Sequence, residues 1–244
     1  MRYQIASAAA LALLVPAIAT AGTPGFVDVS LAFLDSGSTE LTGLGAGGSV
    51  VTPLAGNWLV QFDGKVIRLE GEGTATSTSG LSAHVFHDGG DWAVGALLDY
   101  QSLYGASLWT LGTEAQYTAG AFVLEAGLGL VTSESFGANE DAWRMSAAAT
   151  WFANPDLSVT GSINHLDPTD SSTEITAYGL DAEYRFAGTA YSVFGGYAYT
   201  DIGSGTEFDT WSIGLRYGFG DGTLQQRRNE GPRWLREENP LLPL

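Results

Sequence analysis

The stretch YRFAGTAYSVFGGYAYT, Tyr184 to Thr200, sets aromatic side chains close on both sides of a clump of small residues, Ala187 to Ala190. Beyond the clump, Tyr191, Val193, Tyr197 and Tyr199 fall on alternate positions. Period two is the signature of a strand, because successive side chains point to opposite faces. A water-soluble sheet hides its aromatics in a core. Here the rings Phe186 and Tyr191 flank a turn instead, at the ends of two strands.

The same alternation runs outward in both directions. Trp109, Leu111, Ala115 and Tyr117 share a face opposite Thr110, Gly112, Glu114 and Gln116. Phe122, Leu124, Ala126, Leu128 and Leu130 lie opposite Glu125, Gly127 and Gly129, and Trp143, Met145, Ala147, Ala149 and Trp151 opposite Arg144, Ser146 and Thr150. The pattern predicts about twelve strands, near 25–35, 39–52, 57–70, 79–87, 91–101, 106–117, 121–132, 142–152, 156–165, 173–186, 189–200 and 207–219. Short connections such as Ala119-Gly120 alternate mostly with longer polar ones such as Gly71 to Thr78 and Ser133 to Asp141. That asymmetry predicts an all-β, up-and-down antiparallel transmembrane β-barrel with two different ends.

The chain has 244 residues and no cysteine, so no disulfide framework holds it. Residues 1–21 read as a secretory signal peptide: Arg2, the apolar run Ala6 to Val15, and the small-x-small site Ala19-Thr20-Ala21. Acids outnumber bases 27 to 10, a balance that excludes nucleic acid as a partner. The barrel is expected over 22–220, and 221–244 as a loosely ordered periplasmic tail.

Two aromatic belts mark the expected water boundaries. Trp58, Trp92, Tyr117, Phe122, Trp151, Phe186, Tyr191 and Phe219 lie toward the short turns; Tyr100, Trp109, Trp143, Tyr199, Phe208 and Trp211 lie toward the long loops. The opposite strand faces carry Asp63, Lys65, Asp99, Glu114, Glu125, Arg144, Asp181, Glu183, Arg185 and Arg216. A basic side chain on the lipid face costs about 2–4 kcal/mol at the bilayer midplane, and acids somewhat less. Ten such costs exceed a typical folding stability of about 5–15 kcal/mol, so these charges are assigned to the lumen.

The last predicted strand, DTWSIGLRYGF (Asp209 to Phe219), resembles the closing strand of Gram-negative outer-membrane β-barrels, with alternating aromatics and a final Phe. The resemblance implies a porin-like protein of the outer membrane, with outer-membrane lipids and the outer-membrane assembly machinery as partners. The chain departs from that pattern by continuing 25 residues past Phe219.

Chemistry-bearing motifs are sparse. Gly43 to Gly48 satisfies G-x-G-x-x-G, but no helix start follows, so the glycines read as room in the sheet. His84 and His87 point to opposite faces of one strand, which disfavours a metal pair. No His has a Ser two residues on, as barrel hydrolases require. No catalytic residue, metal or cofactor is therefore assigned. The functional expectation is a non-enzymatic, weakly cation-preferring channel for passive diffusion of ions or small hydrophilic solutes. A closed structural or surface-interaction barrel and a barrel hydrolase stand as the alternatives.

Overall fold

The computed structural model describes residues 23–71, 74–103, 106–135, 138–169, 173–203, 205–220 and 222–234; the leader reading lies outside them. Twelve strands follow one another: β1 (Gly25–Asp35), β2 (Glu40–Ala55), β3 (Trp58–Gly71), β4 (Thr74–Asp88), β5 (Trp92–Leu103), β6 (Ala106–Ala119), β7 (Phe122–Ser135), β8 (Ala138–Asn154), β9 (Leu157–Pro168), β10 (Ile175–Arg185), β11 (Tyr191–Ile202) and β12 (Thr206–Phe219). Each pairs antiparallel with its sequence neighbours, and β1 closes on β12, with Gly25 opposite Phe219 and Asp35 opposite Asp209. Closure leaves no sheet edge, the condition for a sheet to sit in lipid.

Every outward position follows from the alternation. On β12, Trp211, Ile213, Leu215 and Tyr217 are exposed, while Thr210 is buried within. On β6, Trp109, Leu111 and Tyr117 face out, and Thr110, Glu114 and Gln116 face in. A one-residue slip would exchange the two sets, so the pattern fixes the register.

The expected asymmetry of loop length is not seen. Connections at the Gly56, Gly120 and Gly188 end span two to five residues, and those at the other end two to six. The polar segments read as long loops are largely strand. Thr74 pairs with Gly71, and Ala138 with Ser135, so β4 and β8 begin well before the expected positions. About 9–11 residues of tilted strand cross a bilayer. Strands here have 11 to 17, so their ends stand in water, where Ser, Thr and Asp serve as well as apolar residues.

The chain continues past β12 into a short helix, α1 (Leu224–Glu230), started by a reciprocal cap between Thr223 and Gln226. Its end of the barrel is called the tail end below, and the other the far end.

Candidate functional site

The aromatics lie toward both ends of the barrel. At the tail end Trp58, Trp92, Tyr117, Phe122, Trp151, Phe186 and Tyr191 are exposed on the outer face; at the far end Trp109, Trp143 and Trp211 are. Tyr100 and Tyr199 lie on the same outer face, half-buried, and Tyr100 rests against Trp109 with centroids 4.8 Å apart. Two residues depart from the expectation. Phe219 is buried, because its ring folds over Gly25, where a Cβ would stand only 2.4 Å from it. Phe208 shares the inward face with Thr210 and is half-buried.

Inside, the ten expected lumen charges separate into groups. Lys65, Glu114, Glu125, Asp181, Glu183 and Arg216 line a cavity of about 490 Å³. Small polar side chains of β8 to β12, including Ser146, Ser158, Thr160, Ser162, Asn164 and Ser212, share its wall with alanines and the rings of Phe26, Phe152 and Phe194. Asp63 and Asp99 are instead buried in a packed wall on β3 to β6. Arg144 is buried on β8. Arg185 sits at the tail end, donating through Nε to Asp156 at 2.6 Å in the β8–β9 turn and through Nη1 to the Thr189 carbonyl at 2.8 Å.

Two residues outside the ten expected lumen charges organise these groups. Asp28 on β1 accepts from Arg216 Nε and Nη2 at 3.2 and 3.1 Å, while Arg216 Nη1 donates to Glu183 at 2.5 Å. The guanidinium lies between two rings, 4.0 Å from the Phe26 centroid and 4.9 Å from that of Phe194. Phe194 reaches it by lying across Gly214, where a Cβ would approach the ring to 2.3 Å. His84 on β4 bridges the packed wall, with Nε2 2.9 Å from Asp63 and Nδ1 2.8 Å from Glu114. Only an imidazolium donates from both nitrogens, so this geometry is that of one cation between two carboxylates. Both nitrogens are thereby engaged, and neither is left to activate a hydroxyl. The alternation alone places His84 inward, beside Gln61 and Asp63 across the β3–β4 ladder.

The segment after β12 is the largest departure. Instead of hanging loose, residues 222–234 pack against the tail end of the barrel and enter the lumen. Leu224 N–H donates to Asp156 at 3.2 Å, Gln225 to the carbonyls of Pro155 and Gly120, and Arg228 pairs with Glu125 at 2.6 Å. The guanidinium of Arg227 lies over Gly218, at a spot a Cβ would fill. Farther in, Arg233 Nη2 donates to Asp88 at 2.6 Å, and Gln116 Nε2 donates to the Arg233 carbonyl at 2.5 Å. Gln61 accepts from the Arg233 and Trp234 amides at 2.9 and 3.3 Å. Trp234 is only 4% exposed, packed with Val51, Phe86 and Ala93 and stacked at 6.4 Å on His84. A signal for this existed. Four of the chain's ten basic residues (Arg227, Arg228, Arg233 and Arg236) lie in the tail, while the lumen was left with more acids than bases.

The far end of the lumen has another character. Leu34, Ile67 and Leu69 cluster on one wall, and Leu108, Val131, Leu166 and Ile175 on the other. Outside them stands an acidic rim with Asp35, Glu40, Glu70, Glu174, Asp201, Glu207 and Asp209, all exposed.

No family model matches the sequence, and no curated protein does. Solved structures do. A NanC porin superposes with a TM-score of 0.60 at 11% identity, over 78% of this chain and 98% of its own. The COG4313 outer-membrane channel from Pseudomonas putida F1 gives 0.60 at 13%, over 81% and 94%. The chain has the fold of the outer-membrane porins. The translocator domain of the autotransporter NalP from Neisseria meningitidis also matches, at 0.51 and 14% identity over 88% and 98%, so the shared barrel by itself specifies no activity.

Proposed function

We infer that the protein is a porin-like channel of the outer membrane that passes ions or small hydrophilic solutes by passive diffusion. One observation carries the reading: a cavity of about 490 Å³, in whose wall hydroxyls and charges are interleaved with glycine, alanine and aromatic side chains, inside a closed barrel whose outer surface is apolar. Side chains that hold water and small solutes have no use in a merely structural core. The tail end, where β1 begins and β12 ends, is the periplasmic side in this reading, and the acidic rim faces outward. The cavity wall carries Asp28, Glu114, Glu125, Asp181, Glu183 and Glu230 against Lys65, Arg216, Arg227 and Arg228. That slight acidic excess, with the rim, supports a weak preference for cations.

The likeness to porins is one of fold, and the functions of those neighbours remain theirs. A second reading, a closed structural barrel, is favoured by the packed wall around His84 and the seated tail. Planar-bilayer recording separates the two. Stepwise currents, with a reversal potential in a KCl gradient displaced toward the potassium side, are expected. A correctly folded barrel that stays silent at all voltages, with the tail both seated and released, overturns the channel reading.

A further inference from the structure

We propose that the tail end of the lumen is a built receptor for the chain's own Arg233–Trp234 pair, and that the segment 223–234 is a releasable plug. The inference rests on the channel reading for its purpose but on separate observations for its site.

The seat is specific in chemistry. Gln61 is fully buried: its oxygen takes the Arg233 and Trp234 amides, while its Nε2 donates to the Asp63 carboxylate at 2.9 and 3.1 Å and to the Trp234 carbonyl at 3.3 Å. Gln116 does the same for Arg233, donating to its carbonyl and lying 3.4 Å from Nη1. Asp88, at the end of β4, neutralises the guanidinium, and Gly90 offers its carbonyl at 3.3 Å. The indole fills a slot made by Val51, Phe86 and Ala93. Backbone, charge and ring are each matched on β2 to β6, which is how a protein recognises a peptide and not how it covers a loose end.

The attachment is also separable. The barrel closes through β1 and β12 without the tail, and no strand of the ladder includes it. Polar and ionic contacts predominate, and such contacts exchange readily for water. Trp234 and Pro232, together with Arg227 and Arg228, border the same cavity that the channel reading requires, so the seated segment stands in the path of a solute. The physical picture is a peptide ligand tethered at effective concentrations that keep it bound until something competes for its seat.

The test uses the full chain, which has no cysteine of its own. Ser162→Cys places one thiol on the cavity wall, and a bulky polar maleimide reports access to it. Brief trypsin treatment followed by mass measurement reports exposure of Arg227 and Arg228. With the native tail, both reactions are expected to be slow. Trp234→Ala and Gln61→Leu are each expected to raise tryptic cleavage and to speed thiol labelling tenfold or more. Rapid cleavage of the unaltered tail overturns the seat. Labelling that stays unchanged after the tail is cut overturns the plug. Because neither readout needs current, silence in bilayers with fast labelling would sink the channel reading alone.

Discussion

At the scale of single residues, the lumen holds its charges by pairing them rather than by exposing them. His84 is the sharpest case, with two carboxylates at 2.8 and 2.9 Å and almost no access to water. Removing one member of a buried ion cluster leaves the others uncompensated, at a cost of about 3–5 kcal/mol. His84→Ala is therefore expected to lower stability by about that much in urea unfolding from detergent micelles. Replacing His84, Asp63 and Glu114 together by Met, Leu and Met is expected to cost much less, since no charge is then stranded. Equal losses in the two variants would refute the pairing account. Arg216 makes the matching prediction for conduction. Arg216→Ala leaves Asp28 and Glu183 facing the cavity without their guanidinium, so the reversal potential in a KCl gradient is expected to move farther toward the potassium side. No movement in a conducting variant would show that these acids lie off the path.

At the scale of elements, all twelve strands were legible because an apolar outer face and a largely polar inner face impose period two along most of each strand. Loop lengths were not legible. Thr74 to Thr78 and Ala138 to Asp141 belong to β4 and β8 but are rich in Thr, Ser, Asn, Asp and Glu, so they resemble loops in composition. Helix α1 escaped for a different reason: seven residues with none buried carry no hydrophobic periodicity, and its place is set by hydrogen bonds to the β8–β9 turn. That anchor titrates. Asp156 is held below the usual carboxylate range, chiefly by its bond from Arg185, with the Leu224 amide adding to it. A depressed folded-state value means that the contribution is complete above the unfolded pKa, near 3.9, and is lost as pH falls through the folded value. Tryptic release of the tail, with pepsin in place of trypsin at acid pH, is expected to accelerate below about pH 4. In Asp156→Asn the acceleration should be absent, and an unchanged profile there would assign the effect to other carboxylates.

At the scale of the whole molecule, the barrel's existence was readable and its occupancy was not. Alternation tells which way each side chain points, but whether the enclosed space is water, packed wall or the chain's own terminus depends on how the inward groups meet across it. Six of the ten expected lumen charges came to border one cavity, while Asp63, Asp99, Arg144 and Arg185 were absorbed elsewhere, an outcome set by cross-barrel distances that no single strand encodes. On the channel reading the route meets two obstacles in series: the tail at one end, and at the other a collar of apolar side chains, with Leu34, Ile67 and Leu69 in one cluster and Leu108, Val131 and Leu166 in another. Apolar constrictions oppose conduction by shedding water. Resistances in series are governed by the larger, so opening one obstacle alone changes current little if the other still limits. Ile67→Ser with Leu69→Ser wets the collar, and Trp234→Ala frees the tail. The combined variant is expected to conduct more than the sum of the two separate increases, read as single-channel current at fixed voltage and salt. Strictly additive increases would mean parallel paths, and would place either the collar or the tail outside the route that solutes follow.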